Sequence, residues 1–253
     1  MFFSGKIIEV TKLSSDYYKT DIKLFEKISQ PPKPFQFVML WIPRKDLMPM
    51  SVADYHDNIL TIIFKVRGEG TKTLAQNPGF VGVNGFYGKG IKDLYERKIL
   101  FVAGGSGVAP LPYLTRYFRD KISIDVIWGF RYHHQYFDLS NIISSRSVGE
   151  IFYVAEDCVD KRFYCGKATD LYQKIIERER DKWDLVIASG PKEMLAKICE
   201  INRELDVYVN LENHVKCGLG FCGSCVLKPT SKLLCVDGPL FSCDEVAEYL
   251  SQN

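Results

Sequence analysis

The chain has 253 residues, 46% of them hydrophobic and 25% charged, with a formal net charge of +2. That is enough apolar material for two ordinary domains and a small appendage, and the near-neutral balance argues against a nucleic-acid surface. Eight cysteines, an opening Met1-Phe2-Phe3-Ser4-Gly5-Lys6 without signal-peptide character, and no apolar run of bilayer length lead us to expect a cytoplasmic chain with no membrane span, whose thiols serve metal or redox chemistry.

The first third reads as β-structure. Residues 5–13, 17–26, 35–42 and 58–66 are rich in Ile, Val, Tyr and Phe and lie between polar or proline-rich breaks such as Pro31-Pro32-Lys33-Pro34. With no long helical period before residue 70, a small antiparallel barrel is expected over 1–96. Two segments within it stand out. Met48-Pro49-Met50-Ser51-Val52-Ala53-Asp54 follows an apolar strand. Lys65-Val66-Arg67-Gly68-Glu69-Gly70-Thr71 passes from a strand through a glycine turn to a Thr able to cap a short helix, and a helix start offers free N–H groups to a pyrophosphate. An ordinary β-turn into a helix explains the same residues equally well. Gly85-Phe86-Tyr87-Gly88-Lys89-Gly90-Ile91 is a third glycine-dense stretch.

Residues 97–210 alternate strands and helices. Lys98–Ala103 reads as a buried parallel strand running into Gly104-Gly105-Ser106-Gly107-Val108-Ala109-Pro110, and helical spacing follows through Tyr113, Leu114, Tyr117 and Phe118. Strand, glycine turn, helix is how dinucleotides are held, although G-G-x-G-x-x-P is not the usual dehydrogenase fingerprint. Ile122–Trp128, Ile151–Ala155 and Leu185–Ala188 read as further strands, and Leu171–Arg180 as an amphipathic helix. The last strand ends at Ser189-Gly190-Pro191, and Arg131 follows Ile122–Trp128. Strand ends on one edge of a parallel sheet bind ligands. For Arg131 a solvated surface position is the simpler reading.

Residues 211–253 carry the most specific signal. Cys217, Cys222 and Cys225 have the C-x4-C-x2-C spacing of plant-type [2Fe–2S] loops, with Cys235 downstream. Gly218, Gly220 and Gly223 let the backbone fold tightly around the cluster. Cys235 is the expected fourth ligand and Cys243 the fallback. Ser242 and Glu245, at capping-box spacing, assign Cys243 to a helix start instead. Structural zinc prefers two shorter C-x2-4-C pairs, and disulfides are not expected without export. Cys158, Cys165 and Cys199 read as ordinary small buried residues. Leu219 and Phe221 either pack on the chain's own core or face a partner.

Taken together, these motifs resemble the electron-transfer subunits of class 1B dihydroorotate dehydrogenases, within the ferredoxin–NAD(P) reductase superfamily. The resemblance spans nearly the whole chain. Pro49-Met50-Ser51 is similar to the flavin motif and Gly68-Glu69-Gly70-Thr71 to the pyrophosphate turn. Gly85 to Ile91 is similar to G-P-L-G-N-G-F, and Gly104 to Pro110 to the nicotinamide loop. The cysteine loop with Cys235-Val236-Asp237-Gly238-Pro239 is the most specific match.

The resemblance implies an α+β multidomain chain. It would comprise an FAD-binding antiparallel barrel (1–96), an α/β parallel-sheet NAD-binding domain (97–210) and a small [2Fe–2S] domain (211–253). FAD would touch Pro49, Met50, Ser51, Val52, Lys65, Arg67, Gly68, Gly70 and Thr71. NAD would lie at Gly104, Gly105, Ser106, Gly107, Pro110, Gly190 and Pro191, and the cluster on Cys217, Cys222, Cys225 and Cys235. It further implies an FMN-containing catalytic partner in a heterotetramer. Electrons from dihydroorotate would pass through the cluster and FAD to NAD or another acceptor, in pyrimidine biosynthesis. The pattern is departed from at three places: Met48 where arginine is usual, Phe86, Tyr87 and Lys89 in the glycine stretch, and Ser189 for a cysteine. A subunit of a ferredoxin:NAD(P)H oxidoreductase and a non-enzymatic metal-binding module are the alternatives.

Overall fold

The computed structural model describes residues 2–144, 146–201 and 205–252. Period-two burial builds the first sheet. In β1 (Phe2–Lys12), Phe3, Gly5 and Ile7 point inward while Phe2, Ser4, Lys6 and Ile8 point out. There follow β2 (Tyr17–Leu24), β3 (Phe37–Ile42), β4 (Asp46–Ser51), β5 (Asp54–His56), β6 (Ile59–Lys65), the short helix α1 (Glu69–Ala75) and β7 (Phe80–Tyr87). Every pairing in this sheet is antiparallel, in the order β4-β3-β7-β1-β2-β6-β5. The outer strands β4 and β5 are not paired with each other, so the sheet curls into a half-barrel around Ile22, Val38, Leu40, Leu60, Ile62 and Val83.

The four expected strands are β1, β2, β3 and β6. β4 was not legible because Pro49 interrupts it. A proline removes a ladder N–H, which only an edge strand tolerates, and β4 is an edge strand. In β7, Gly82 and Gly85 dilute the pattern. The turn after β6 also differs from expectation. Gly68 is the N-cap of α1, and Thr71 lies inside the first turn. From there its Oγ1 reaches back to accept from the amides of Arg67 and Gly68, at 2.9 and 3.0 Å.

The second sheet is built from β8 (Lys98–Gly104), α2 (Leu111–Tyr117), β9 (Ser123–Phe130), β10 (Val148–Ala155), β11 (Tyr164–Cys165), α3 (Ala168–Glu179), β12 (Leu185–Ser189), α4 (Lys192–Ile201) and β13 (Asp206–Asn210). Its central strands β8, β9 and β12 are buried almost throughout, as parallel strands covered on both faces must be. Ser189 pairs with Ala103 on one side and Asn210 on the other, so three strand ends reach one edge together. After the hairpin β14 (Val226–Leu227) and β15 (Lys232–Leu233) comes the single turn α5 (Leu234–Asp237). The chain then returns to the second sheet. β16 (Leu240–Ser242) pairs antiparallel with β13, and α6 (Cys243–Leu250) packs on α4. The anticipated capping box holds α6: Ser242 Oγ accepts from Glu245 N at 3.3 Å, and Glu245 Oε2 accepts from Ser242 N at 3.0 Å.

The cysteines outside the loop correct the sequence reading. Cys158 and Cys165 are exposed, not buried, and are joined as a disulfide. The parallel pairing of β10 with β11 sets Cys165 beside Ala155, and Cys158, in the intervening loop, comes to a Cα–Cα distance of 4.7 Å from Cys165. Cys199 on α4 is joined to Cys243 at the start of α6, with Cα atoms 5.7 Å apart across a separation of 44 residues. That link is created by helix packing, which leaves no trace in local sequence, and it removes Cys243 as a fallback ligand. Among the described residues no helix is long and apolar enough to cross a membrane.

Candidate functional site

The half-barrel, the second sheet and the cysteine segment meet at a cleft of about 250 Å³. Pro49, Met50 and Ser51 on β4, Phe37 on β3, and Ile63 to Lys65 on β6 form one wall, continued by Arg67 and Thr71. Ser106 and Ala109, after β8, and Asn210, at the end of β13, form the second. Leu211 to Asn213, Val215, Leu234 and Pro239 close the cleft from the cysteine segment. Phe37, Ile63, Phe64, Val215 and Leu234 give it the apolar faces a flat ring system needs, with a few polar groups to orient it. Glu212 is exposed as a residue, but protein packs around its carboxyl at the cleft. That burial pushes its carboxyl above the usual range, and Arg67 draws it back down.

The site residues expected from sequence do not all converge here. Pro49, Met50, Ser51, Lys65, Arg67, Thr71 and Ser106 line the cleft. Val52 is fully buried in the half-barrel core, and Gly68, the N-cap of α1, and the buried Gly70 in its first turn do not line the cleft. The Met48 sulfur covers Gly70, 2.6 Å from where a Cβ would sit, so Met48 packs α1 onto β4. Gly104, Gly105, Gly107 and Pro110 form the turn between β8 and α2. That turn is pressed against Ser189-Gly190-Pro191: a Cβ on Gly107 would lie 2.0 Å from the Ser189 carbonyl oxygen. Arg131 is exposed just after β9. Asn210, Glu212 and Asn213 were missed. The available signal was the rule that parallel strands present ligands at their C-terminal ends, which applies to β13 once that strand is recognised.

Cys217, Cys222, Cys225 and Cys235 are the cysteines left free of disulfides. Gly218, Gly220 and Gly223 between them have φ of +72°, +82° and +69°, the left-handed region that favours glycine. The loop lies on the end of β7, where a Cβ on Gly218 would meet the Tyr87 ring at 2.4 Å. The glycine-dense stretch then clips the segment in place: Gly88 N donates to Cys235 O at 3.1 Å and Lys89 N to Gly238 O at 2.8 Å. Cys225 and Cys235 are buried with their sulfurs 3.2 Å apart. Hydrogen bonds from Ser224 and Cys217 lower the exposed Cys222 thiol to about 6, while burial and the neighbouring Cys225 push Cys235 up to about 12. Among the described residues no group of three or more His, Cys, Asp or Glu is set to hold a single metal ion. A binuclear cluster asks instead for two thiolates on each of two irons. The close pair Cys225–Cys235, together with the free thiols of Cys217 and Cys222, supplies the four thiols of that donor set.

The residues beside the ligands define the surroundings. Leu234, next to Cys235, is part of the cleft wall. On the outer side Phe221 is 89% exposed, with Leu219 and Val236 also exposed and Val236 packed beside Gly220.

Residues 212–247 match the model for the iron–sulfur cluster binding domain of dihydroorotate dehydrogenase B. The chain is 37% identical over 211 residues to the probable dihydroorotate dehydrogenase B (NAD(+)) electron transfer subunit of Pyrococcus furiosus, covering 83% of this chain and 79% of that one. The chain belongs to the family of dihydroorotate dehydrogenase B electron transfer subunits. A second member, from Caldanaerobacter subterraneus subsp. tengcongensis, is 29% identical over 254 residues, covering 96% of this chain and 97% of the other. The solved structure of an NADH-dependent reduced ferredoxin-NADP oxidoreductase superposes with a TM-score of 0.81 at 23% identity, over 98% of this chain and 93% of that one. This likeness shows the fold, a ferredoxin reductase-like arrangement of curled antiparallel sheet, parallel α/β domain and C-terminal cluster region. The family's cluster domain begins at Glu212, on the wall of the cleft.

Proposed function

We propose that this chain is the electron-transfer subunit of a dihydroorotate dehydrogenase. It would link the FMN of a catalytic subunit to NAD through a [2Fe–2S] cluster and FAD, in a heterotetramer. The observation that carries this reading is continuity: the residue beside Cys235 lines the same cleft as Pro49, Met50, Ser51 and Ser106. When bound, the cluster supplies single-electron transfer and the flavin couples it to two-electron hydride chemistry.

The chain's own residues supply position and environment. Cys217, Cys222, Cys225 and Cys235 would hold the cluster. β4 is an edge strand, so its backbone groups that face away from β3 are free to hydrogen-bond a flavin. Arg67 gives the cleft a cation for a phosphate, and Phe37, Val215 and Leu234 exclude water from it. Leu219, Phe221 and Val236 form an apolar rim suited to a partner that must approach the cluster closely.

The test is reconstitution with the catalytic flavoprotein. Dihydroorotate should bleach the cluster and flavin bands when the partner is present and leave them unchanged when it is absent. Phe221→Ser should weaken association about tenfold or more, as loss of a central aromatic anchor does, with the cluster spectrum intact. Bleaching of the isolated chain by dihydroorotate would refute the division of labour. Unchanged association of the variant would place the docking surface elsewhere.

A further inference from the structure

We propose that the side-chain oxygen of Asn210 accepts a hydrogen bond from the carboxamide N–H of a nicotinamide nucleotide, and so selects for that group at the cleft. The inference rests on the NAD-linked reading above. It starts from an unpaired buried atom. Asn210 is 5% exposed and ends β13. Its Nδ2 donates to Ser189 Oγ at 2.9 Å, across the register pair that joins β12 to β13. This bond fixes the amide plane and leaves Oδ1 buried with no hydrogen-bond partner. Buried polar atoms are nearly always paired, so an orphan in a binding cleft points to a missing ligand group. Among the described residues it is the one such atom whose residue lines the cleft.

The chemistry of the missing group follows from position and polarity. An amide oxygen only accepts, so its partner must be a donor. Ser106 and Ala109, from the glycine turn of the second sheet, share this wall, and Pro49, Met50 and Ser51 lie in the wall built by the half-barrel. A ring held by the strand ends of the second sheet therefore meets a ring held by the half-barrel at Asn210. At the reacting end of a nicotinamide nucleotide the donor is the carboxamide NH2. Oδ1 has almost no open surface, so a ring that reaches it must shift the side chains around it. Ser189 acquires a role as well. Where the resemblance places a cysteine, its hydroxyl positions the Asn210 amide.

The experiment compares two nucleotides on the FAD-loaded holoprotein. One is NAD+, and the other is its 3-acetylpyridine analogue, which keeps the carbonyl and replaces NH2 by methyl. Binding is read from flavin fluorescence, and ADP-ribose serves as the ringless control. The wild type should prefer NAD+ about tenfold, the size of one buried hydrogen bond. Asn210→Ala should bind both equally. Asn210→Asp, which keeps an acceptor oxygen, should retain the preference, and ADP-ribose should bind all forms alike. Asn210→Leu, close in shape, repeats the deletion if the alanine variant does not fold. A preference that survives in Asn210→Ala or Asn210→Leu overturns the inference. So does a variant that loses FAD affinity or shifts the flavin potential while keeping the preference, because the acceptor would then serve the flavin. If the wild type binds neither nucleotide but does bind ADP-ribose, the NAD-linked reading fails first.

Discussion

Replacing Cys235 with serine removes the cluster: iron and acid-labile sulfide fall from about two each per chain to less than about a tenth of that, and the cluster's visible absorbance disappears. Cys235 is buried, with its sulfur 3.2 Å from that of Cys225 and its carbonyl held by Gly88 N. A hydroxyl is a hard, weakly acidic substitute for a soft thiolate and leaves one iron without its second ligand. Cys243→Ser behaves differently. Its sulfur is engaged with Cys199, so the variant keeps iron and sulfide and gains one titratable thiol, that of Cys199. Iron lost on replacing Cys243 and kept on replacing Cys235 would reverse the assignment of the fourth ligand.

Gly107→Ala lowers stability by about 3 kcal/mol, which for a chain of this length lowers the melting temperature by roughly 6–12 °C. The added Cβ would sit 2.0 Å from Ser189 O and 2.8 Å from Gly190 N. Both are backbone atoms, which cannot rotate away as a side chain does. Either the turn after β8 or the end of β12 must move, and Ser189 carries the hydrogen bond to Asn210 with it. Gly68→Ala is the matched control. It has φ of −134° and no atom within 4 Å of its would-be Cβ, so its effect should stay within about 1 kcal/mol. Thermal unfolding of the two variants checks the contrast. Equal melting temperatures would mean that the Gly107 turn is not in backbone contact with Ser189-Gly190.

What could be seen in the sequence was local. The C-x4-C-x2-C spacing and its glycines are set by the need to wrap a short loop around a small inorganic core, so motif and geometry coincide. The buried runs of β8, β9 and β12 announce a parallel sheet because such strands are covered on both faces. Ser242 and Glu245 mark the start of α6 because a capping box is closed within four residues.

What could not be seen depends on partners distant in the chain. Pro49 hid β4 until the topology placed that strand at an edge. Met48, where the resemblance places an arginine, packs on Gly70, a contact made by folding α1 over β4. The pairing of Cys199 with Cys243 exists because α6 returns to α4. Asn210 is an ordinary strand residue in sequence, and only its burial beside Ser189 and its unpaired oxygen set it apart.

The first measurement is an anaerobic absorbance titration of the chain loaded with FAD and cluster, with NADH added first and dithionite second. A cleft that joins the flavin wall, the glycine turn and the residue beside Cys235 predicts that NADH bleaches both the flavin and the cluster bands, leaving dithionite little to reduce. If NADH leaves both bands intact and dithionite bleaches them, the cofactors are present but the chain is not linked to nicotinamide, and the central claim is contradicted.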